Sequence, residues 1–277
     1  MRNIIRIHEA VSSPIADLVT YRALPTQSID MIDPFLFLNH HGYQVYRPHN
    51  QGLPFGPHPH RGFETVTFIL KGDLMHQDSS GGASVINAGG VQWMTAGRGL
   101  VHAEISSEEF KEKGGELEIL QLWVNLKASQ KMTEPAYKGL QKDDIPLIHE
   151  EKYTIQVVSG TWKGVEGPFH NLNDIHLAVI TLRGEATVSF DIPEDHNIFF
   201  YTTDGRLRVN DYLVVQRELI EFGNEGTKVK IEAAYDSTIL IGHAKPFDEP
   251  VVAHGPFVMN TREEIVQAFQ DYEEGKF

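Results

Sequence analysis

Gly56-Pro57-His58-Pro59-His60 and, further along, His102-Ala103-Glu104 decide how this chain is read. Each stretch sets two metal-capable side chains one residue apart. In an extended chain, residues i and i+2 point to the same face. Two strands can therefore aim His58, His60, His102 and Glu104 at one point. The prolines favour this geometry. A residue before proline is pushed out of the α region, which makes Gly56 and His58 extended. Proline also offers no donor to a sheet ladder, so the first pair belongs at a strand start or a sheet edge. An edge near a barrel mouth keeps a bound ion within reach of a substrate. Iron, nickel, copper and zinc all accept imidazole and carboxylate ligands.

Outward from these pairs the chain reads as short strands punctuated by glycine. Before them, Val19–Leu24 and Asp33–Leu38 are strand candidates, and residues 39–62 form a long irregular stretch rich in histidine, proline and aromatics. After them come Phe63–Leu70, Gly72–Asp78, Ser84–Asn87, Val91–Thr95 and Leu117–Leu126, with a turn at Ser79-Ser80-Gly81-Gly82. Residues 127–148 are polar and carry Pro135 and Pro146. Strands resume at Tyr153–Val158, His176–Leu182, Ala186–Phe190, Asn197–Thr202, Tyr212–Gln216, Lys228–Ala233 and Thr238–Gly242. Regular short strands of this kind suggest sandwiches or barrels. The expected division is residues 1–130 as a metal-binding barrel, 131–148 as a linker, and 149–277 as a second barrel without metal. Thr261 and Glu264 spell a capping box, and Ile265, Phe269 and Tyr272 fall on one face of a closing helix.

Composition narrows the function. A chain of 277 residues with 41% hydrophobic content is that of a folded globular protein. A formal net charge of −14 makes nucleic acid a poor direct partner. The absence of cysteine excludes disulfides, thiolate metal sites and a cysteine nucleophile. There is no signal-peptide pattern and no apolar run near 18 residues. A soluble cytoplasmic protein is the expectation.

Gly52, His58-x-His60, Glu64 and Gly72 resemble the first motif of the cupin superfamily, and Gly90, Gly97-x-Gly99 and His102 resemble its second. The runs HPHRGFETV (58–66), QWMTAGRGLVHAE (92–104), LQLWVNL (120–126) and HGPFVMNT (254–261) are similar to the pirin family within it. The stretch near 160–210 departs most from that pattern. The resemblance implies an all-β bicupin with two tandem barrels and metal only in the first. It implies an iron-type site on His58, His60, His102 and Glu104. For bacterial members it implies a quercetin 2,3-dioxygenase-like activity on an aromatic or enolic substrate with O2. For animal members it implies an iron-dependent transcriptional co-regulator that binds a protein partner. A general cupin would use the glutamate of the first motif, Glu64. Strand parity does not separate Glu64 from Glu104, and the match at Ala103-Glu104 favours the latter.

Open positions on a histidine–carboxylate site suit non-haem iron. One divalent metal per chain is expected, Fe(II) first, with Ni, Mn, Co, Cu and Zn as alternatives. Three neutral imidazoles and one carboxylate leave such an ion with a net charge of +1. That charge binds an enolate or phenolate and lowers its pKa. In the dioxygenase reading a flavonol loses its hydroxyl proton, O2 adds and the ring opens with loss of carbon monoxide. Glu104 is then both ligand and proton acceptor, with Glu64 the second candidate base. In the regulator reading, the iron redox state alters a surface that a partner protein reads. His40, His41 and His49 read as loop polar residues. His76 either lines the cavity or is an ordinary hydrogen-bonded histidine. Trp93, Phe55 and Phe68 read as packing.

Overall fold

The computed structural model describes residues 1–79 and 81–277. It is built of antiparallel strands, with two α-helices among the described residues, Glu108–Lys113 and Arg262–Glu273. The turn expected at Ser79–Gly82 includes Ser80, which lies outside the described residues.

By contacts the chain divides into two compact units. One comprises Met1–Val11, Arg22–Leu36 and Asp144–Pro246; the other comprises Ser12–Tyr21, Phe37–Asp143 and Phe247–Phe277. They are called here the Asp144–Pro246 unit and the Phe37–Asp143 unit, after their largest segments. The expected cut at 131–148 does not describe this arrangement, because both chain ends pair with distant segments. Ile4–Glu9 adds to the edge of Glu218–Phe222. The closing helix packs with Phe257 and Met259 in the unit that carries His58. The expected linker is itself structured. Ala136–Leu140 pairs with Val91–Thr95, and Leu147–His149 pairs with Tyr153–Ser159.

Each unit joins a seven-stranded sheet to a four-stranded one. In the Asp144–Pro246 unit the two sheets share one apolar core. Ala178, Ile180, Ile239 and Ile241 come from the larger sheet, and Val188, Leu207, Val229 and Ile231 from the smaller. The alternation along these strands is why: every second side chain turns inward, and burying each large aliphatic one is worth about 1.5–3 kcal/mol. The Phe37–Asp143 unit repeats the plan. Ile69, Leu117 and Ile119 of its larger sheet meet Leu74 and Ile86 of its smaller one.

The stretch 39–62 is less irregular than expected. A twelve-residue strand, Phe35–Tyr46, runs through its start and Phe55–His60 through its end. His40 and His41 are consequently buried at 1% exposure, with His40 Nε2 on Glu118 at 2.9 Å and His41 Nδ1 on Thr20 Oγ1 at 2.9 Å. His49 is exposed in a bend, as expected.

Thr261 caps the closing helix in a full capping box with Glu264. Its inner face holds Ile265, Ala268 and half-buried Phe269. Tyr272, expected on that face, is 40% exposed, and Asp271 is buried in its place because it answers Arg61. No helix among the described residues is long and apolar enough to cross a membrane.

Candidate metal centre

Three strands of the four-stranded sheet build the site, all within the Phe37–Asp143 unit. Leu100–Ile105 lies between Phe55–His60 and Asp73–Asp78. The register sets His102 opposite His58 and Leu100 opposite His60, with a bulge between His102 and Glu104. His58 and His60 lie on one strand and His102 faces them across the ladder, while the bulge interrupts the parity expected of Glu104. One ligand atom from each of the three lies within 4.8 Å of the others. Ring centroids are 4.4 Å apart for His58 and His102, 4.8 Å for His58 and His60, and 5.0 Å for His60 and His102.

Hydrogen bonds fix the tautomers. His58 Nδ1 faces the Gly56 carbonyl at 2.7 Å, and His60 Nδ1 faces the Pro256 carbonyl at 3.2 Å. A carbonyl only accepts, so each Nδ1 carries the proton and each Nε2 keeps its lone pair. This second-sphere pattern orients imidazoles toward a metal. His60 is further walled by Phe63 and Trp123, at 5.0 and 5.3 Å.

His102 tests whether the residues fit an ion. It is 1% exposed, and neither ring nitrogen has a hydrogen-bond partner. Leaving a buried polar atom unpaired costs about 1–3 kcal/mol. A metal bond to one nitrogen removes that cost. Protonation does not, because burial and the neighbouring His60, His58 and His76 hold the pKa of His102 well below the ordinary histidine value. Burial and His58 likewise push His60 down to about 3. Neutral imidazoles are the ligand form. The donor set fits a divalent transition ion.

Glu104 is not part of the three-histidine group. It is 1% exposed, and its Oε1 accepts from Thr67 Oγ1 at 3.1 Å and Gln92 Nε2 at 2.6 Å, while Oε2 accepts from Gln121 Nε2. A carboxylate has about four lone-pair sites, so Oε2 retains one. Burial raises its pKa, against the lowering pull of His58, Thr67, His76 and Gln121. Glu64 is turned to the Val91–Thr95 strand, where Thr95 Oγ1 donates to its Oε1 at 2.6 Å. Burial pushes its pKa up to about 7, with Thr95 and Trp93 opposing.

Three neighbours lay outside the expected ligand set. His76 sits opposite Glu104 in the ladder, with Nε2 2.8 Å from Asp78 Oδ2 and its ring stacked 3.9 Å from Tyr137. It is a hydrogen-bonded histidine beside the site. Gln92 and Gln121 lie in the runs 92–104 and 120–126 but carry no metal-ligand signal, and only the fold shows that they hold Glu104.

A sequence model of the Pirin family matches residues 17–124, and one described as the pirin C-terminal cupin domain matches residues 177–277. This chain belongs to the pirin family. Its first matched region takes in His58, His60, Glu64, His102 and Glu104. A pirin-like protein of Caulobacter vibrioides is 37% identical over 259 residues, covering 92% of this chain and 91% of that one. A Pseudomonas aeruginosa protein, named only provisionally as a quercetin 2,3-dioxygenase, is 36% identical over 266 residues, covering 95% and 92%. The crystal structure of a quercetin 2,3-dioxygenase from Acinetobacter baumannii aligns on this pirin with a TM-score of 0.93 at 33% identity, covering 100% of this chain and 98% of that one.

Proposed function

We propose that this pirin is a mononuclear metal-dependent dioxygenase of the quercetin 2,3-dioxygenase type. His58, His60 and His102 hold one divalent ion, Fe(II) in the first instance, and Glu104 is the fourth ligand through the lone pair left on Oε2. The observation that carries this reading is His102, buried with both ring nitrogens unpartnered beside the free Nε2 lone pairs of its two neighbours. Likeness over the whole chain to a quercetin 2,3-dioxygenase supports the substrate class.

When bound, the ion supplies a Lewis acid that stabilises an enolate or phenolate oxygen and a site where O2 is activated. The chain's own residues do the rest. Thr67, Gln92 and Gln121 lock the Glu104 carboxylate in place. Once Oε2 is released from the ion, this buried carboxylate with a raised pKa has the proton affinity to take a flavonol hydroxyl proton there. His58 is only half-buried, so the site opens to solvent along its strand. Half-buried Trp123, packed at 5.3 Å from the His60 ring, gives an apolar flank to a planar aromatic substrate.

The test is an oxygen electrode with purified Fe(II)-loaded protein and quercetin, with carbon monoxide measured in parallel. Equal uptake of O2 and release of CO is the expected result. Fully loaded protein that consumes no O2 above the buffer rate refutes the dioxygenase and leaves the regulator with a protein partner.

A further inference from the structure

The three donors on Glu104 come from one transverse row of the larger sheet. Gln121 on Gly115–Asn125 lies opposite Thr67, and Thr67 lies opposite Gln92. Cross-strand partners share a face. All three side chains therefore project together onto the Glu104 carboxylate. They divide unevenly between its oxygens. Oε1 accepts from Thr67 and Gln92, whereas Oε2 accepts from Gln121 alone. Gln92 thus decides which oxygen is left for an ion.

A glutamine amide has a donor end and an acceptor end of nearly the same shape. Turned over, Gln92 would set its carbonyl against the carboxylate. Tyr137 holds the other end. Its hydroxyl donates to Gln92 Oε1 at 3.1 Å. A phenol has one proton to give, so the Ser84 hydroxyl donates to the Tyr137 oxygen. Ser84, Tyr137, Gln92 and Glu104 thereby form one chain of donors that all point toward the carboxylate, and bonds aligned in this way strengthen one another. Gln92 is 1% exposed, so removing the hydroxyl leaves its Oε1 buried without that donor.

Tyr137 itself is fixed by packing. It lies on Ala136–Leu140, opposite Met94, in the stretch expected to be a linker. Its ring stacks on His76 at 3.9 Å, and His76 lies opposite Ser84 on one side and Glu104 on the other. Burial raises the pKa of the half-buried phenol, against the bond from Ser84, so it keeps the proton it donates. We propose that Tyr137 is a positioning residue of the metal centre, which acts through Gln92 to hold Glu104 with Oε2 left for the ion. This rests on the reading of Glu104 as the fourth ligand.

The test is a calorimetric titration of metal-stripped, full-length protein with Co(II), with the melting temperature of each metal-free variant measured alongside. Tyr137→Phe keeps the ring on His76 and removes only the hydroxyl. It should bind Co(II) about tenfold more weakly than wild type, and Gln92→Met about 10–100-fold more weakly. The double variant should bind no more weakly than Gln92→Met, because the hydroxyl acts through that amide. A lowered melting temperature with wild-type affinity in Tyr137→Phe marks a merely structural tyrosine and overturns the proposal. So does an equal loss from Tyr137→Phe in the wild-type and Gln92→Met backgrounds. Wild-type affinity in Glu104→Gln overturns the ligand reading and this proposal with it. Weak binding by Glu104→Gln beside wild-type affinity in Tyr137→Phe overturns the role of Tyr137 alone. If Gln92→Met fails to fold, Tyr137→Phe and Glu104→Gln decide the matter.

Discussion

Replacing Asp271 by asparagine should destabilise the Phe37–Asp143 unit by about 2–3 kcal/mol. Asp271 Oδ2 accepts from Arg61 Nη1 at 2.7 Å, and Oδ1 accepts from Gln267 and Lys276 at 2.9 Å each. Arg61 is 4% exposed, spends its Nε on the Arg98 carbonyl at 2.6 Å and lies over the Phe277 ring at 4.5 Å. Asparagine keeps the shape but leaves that guanidinium without its counter-charge. Breaking a fully buried pair costs about 3–5 kcal/mol. The Asp271 side chain is 13% exposed, so solvent recovers part of that. At roughly 2–4 °C per kcal/mol, the melting temperature should fall by roughly 5–10 °C. Scanning calorimetry at pH 7 measures it. Lys276, Arg61 and Gln267 hold the Asp271 carboxyl well below the ordinary range. Its contribution is therefore present above the unfolded pKa of about 3.9 and lost as pH falls toward the lower folded value. The gap between wild type and variant should narrow below about pH 4. Equal melting temperatures at pH 7, or a gap that widens in acid, would refute the reasoning.

Other expectations follow from the same contacts. Glu64 is an acid with a folded pKa raised to about 7, so its burial costs nothing below about pH 4.3 and up to about 3 kcal/mol above pH 7. Metal-free wild type should therefore lose stability between pH 5 and 8 that Glu64→Gln retains; parallel profiles would contradict this. Glu104→Gln should weaken metal binding more than Glu64→Gln does, and calorimetric titration giving the reverse order would move the ligand role to Glu64. Lys131 is 1% exposed, and its Nζ donates to Gly62 O, Asn125 Oδ1 and Val258 O. Lys131→Met should cost about 3 kcal/mol in urea unfolding through those abandoned acceptors; a loss under 1 kcal/mol speaks against it.

What was legible in the sequence was local. His58 and His60 share a face because strand parity is a two-residue rule, and the prolines around them already exclude a helix. The capping box at Thr261 needed four residues to read. What stayed hidden depends on partners far away in the chain. Ile4–Glu9 becomes a strand because Glu218–Phe222 offers an edge, and Asp271 turns inward because Arg61 waits there. Lys131 looked like a linker residue until Gly62 and Val258 closed around its ammonium group. His176, His196 and His243 sit on separate segments and meet only through the register of three strands. Ser107 capping the helix Glu108–Lys113 was a local signal that could have been read, and was obscured by the two glutamates that look like a solvated face.

The central claim is that the three histidines hold one ion. Anomalous diffraction at the iron edge from crystals of the Fe(II)-loaded protein tests it directly. One peak about 2.0–2.2 Å from Nε2 of His58 and His60 and from one ring nitrogen of His102, with Glu104 Oε2 completing the set, is the predicted result. A peak elsewhere in the Phe37–Asp143 unit, or none at those nitrogens in protein shown to carry one iron per chain, would contradict the account.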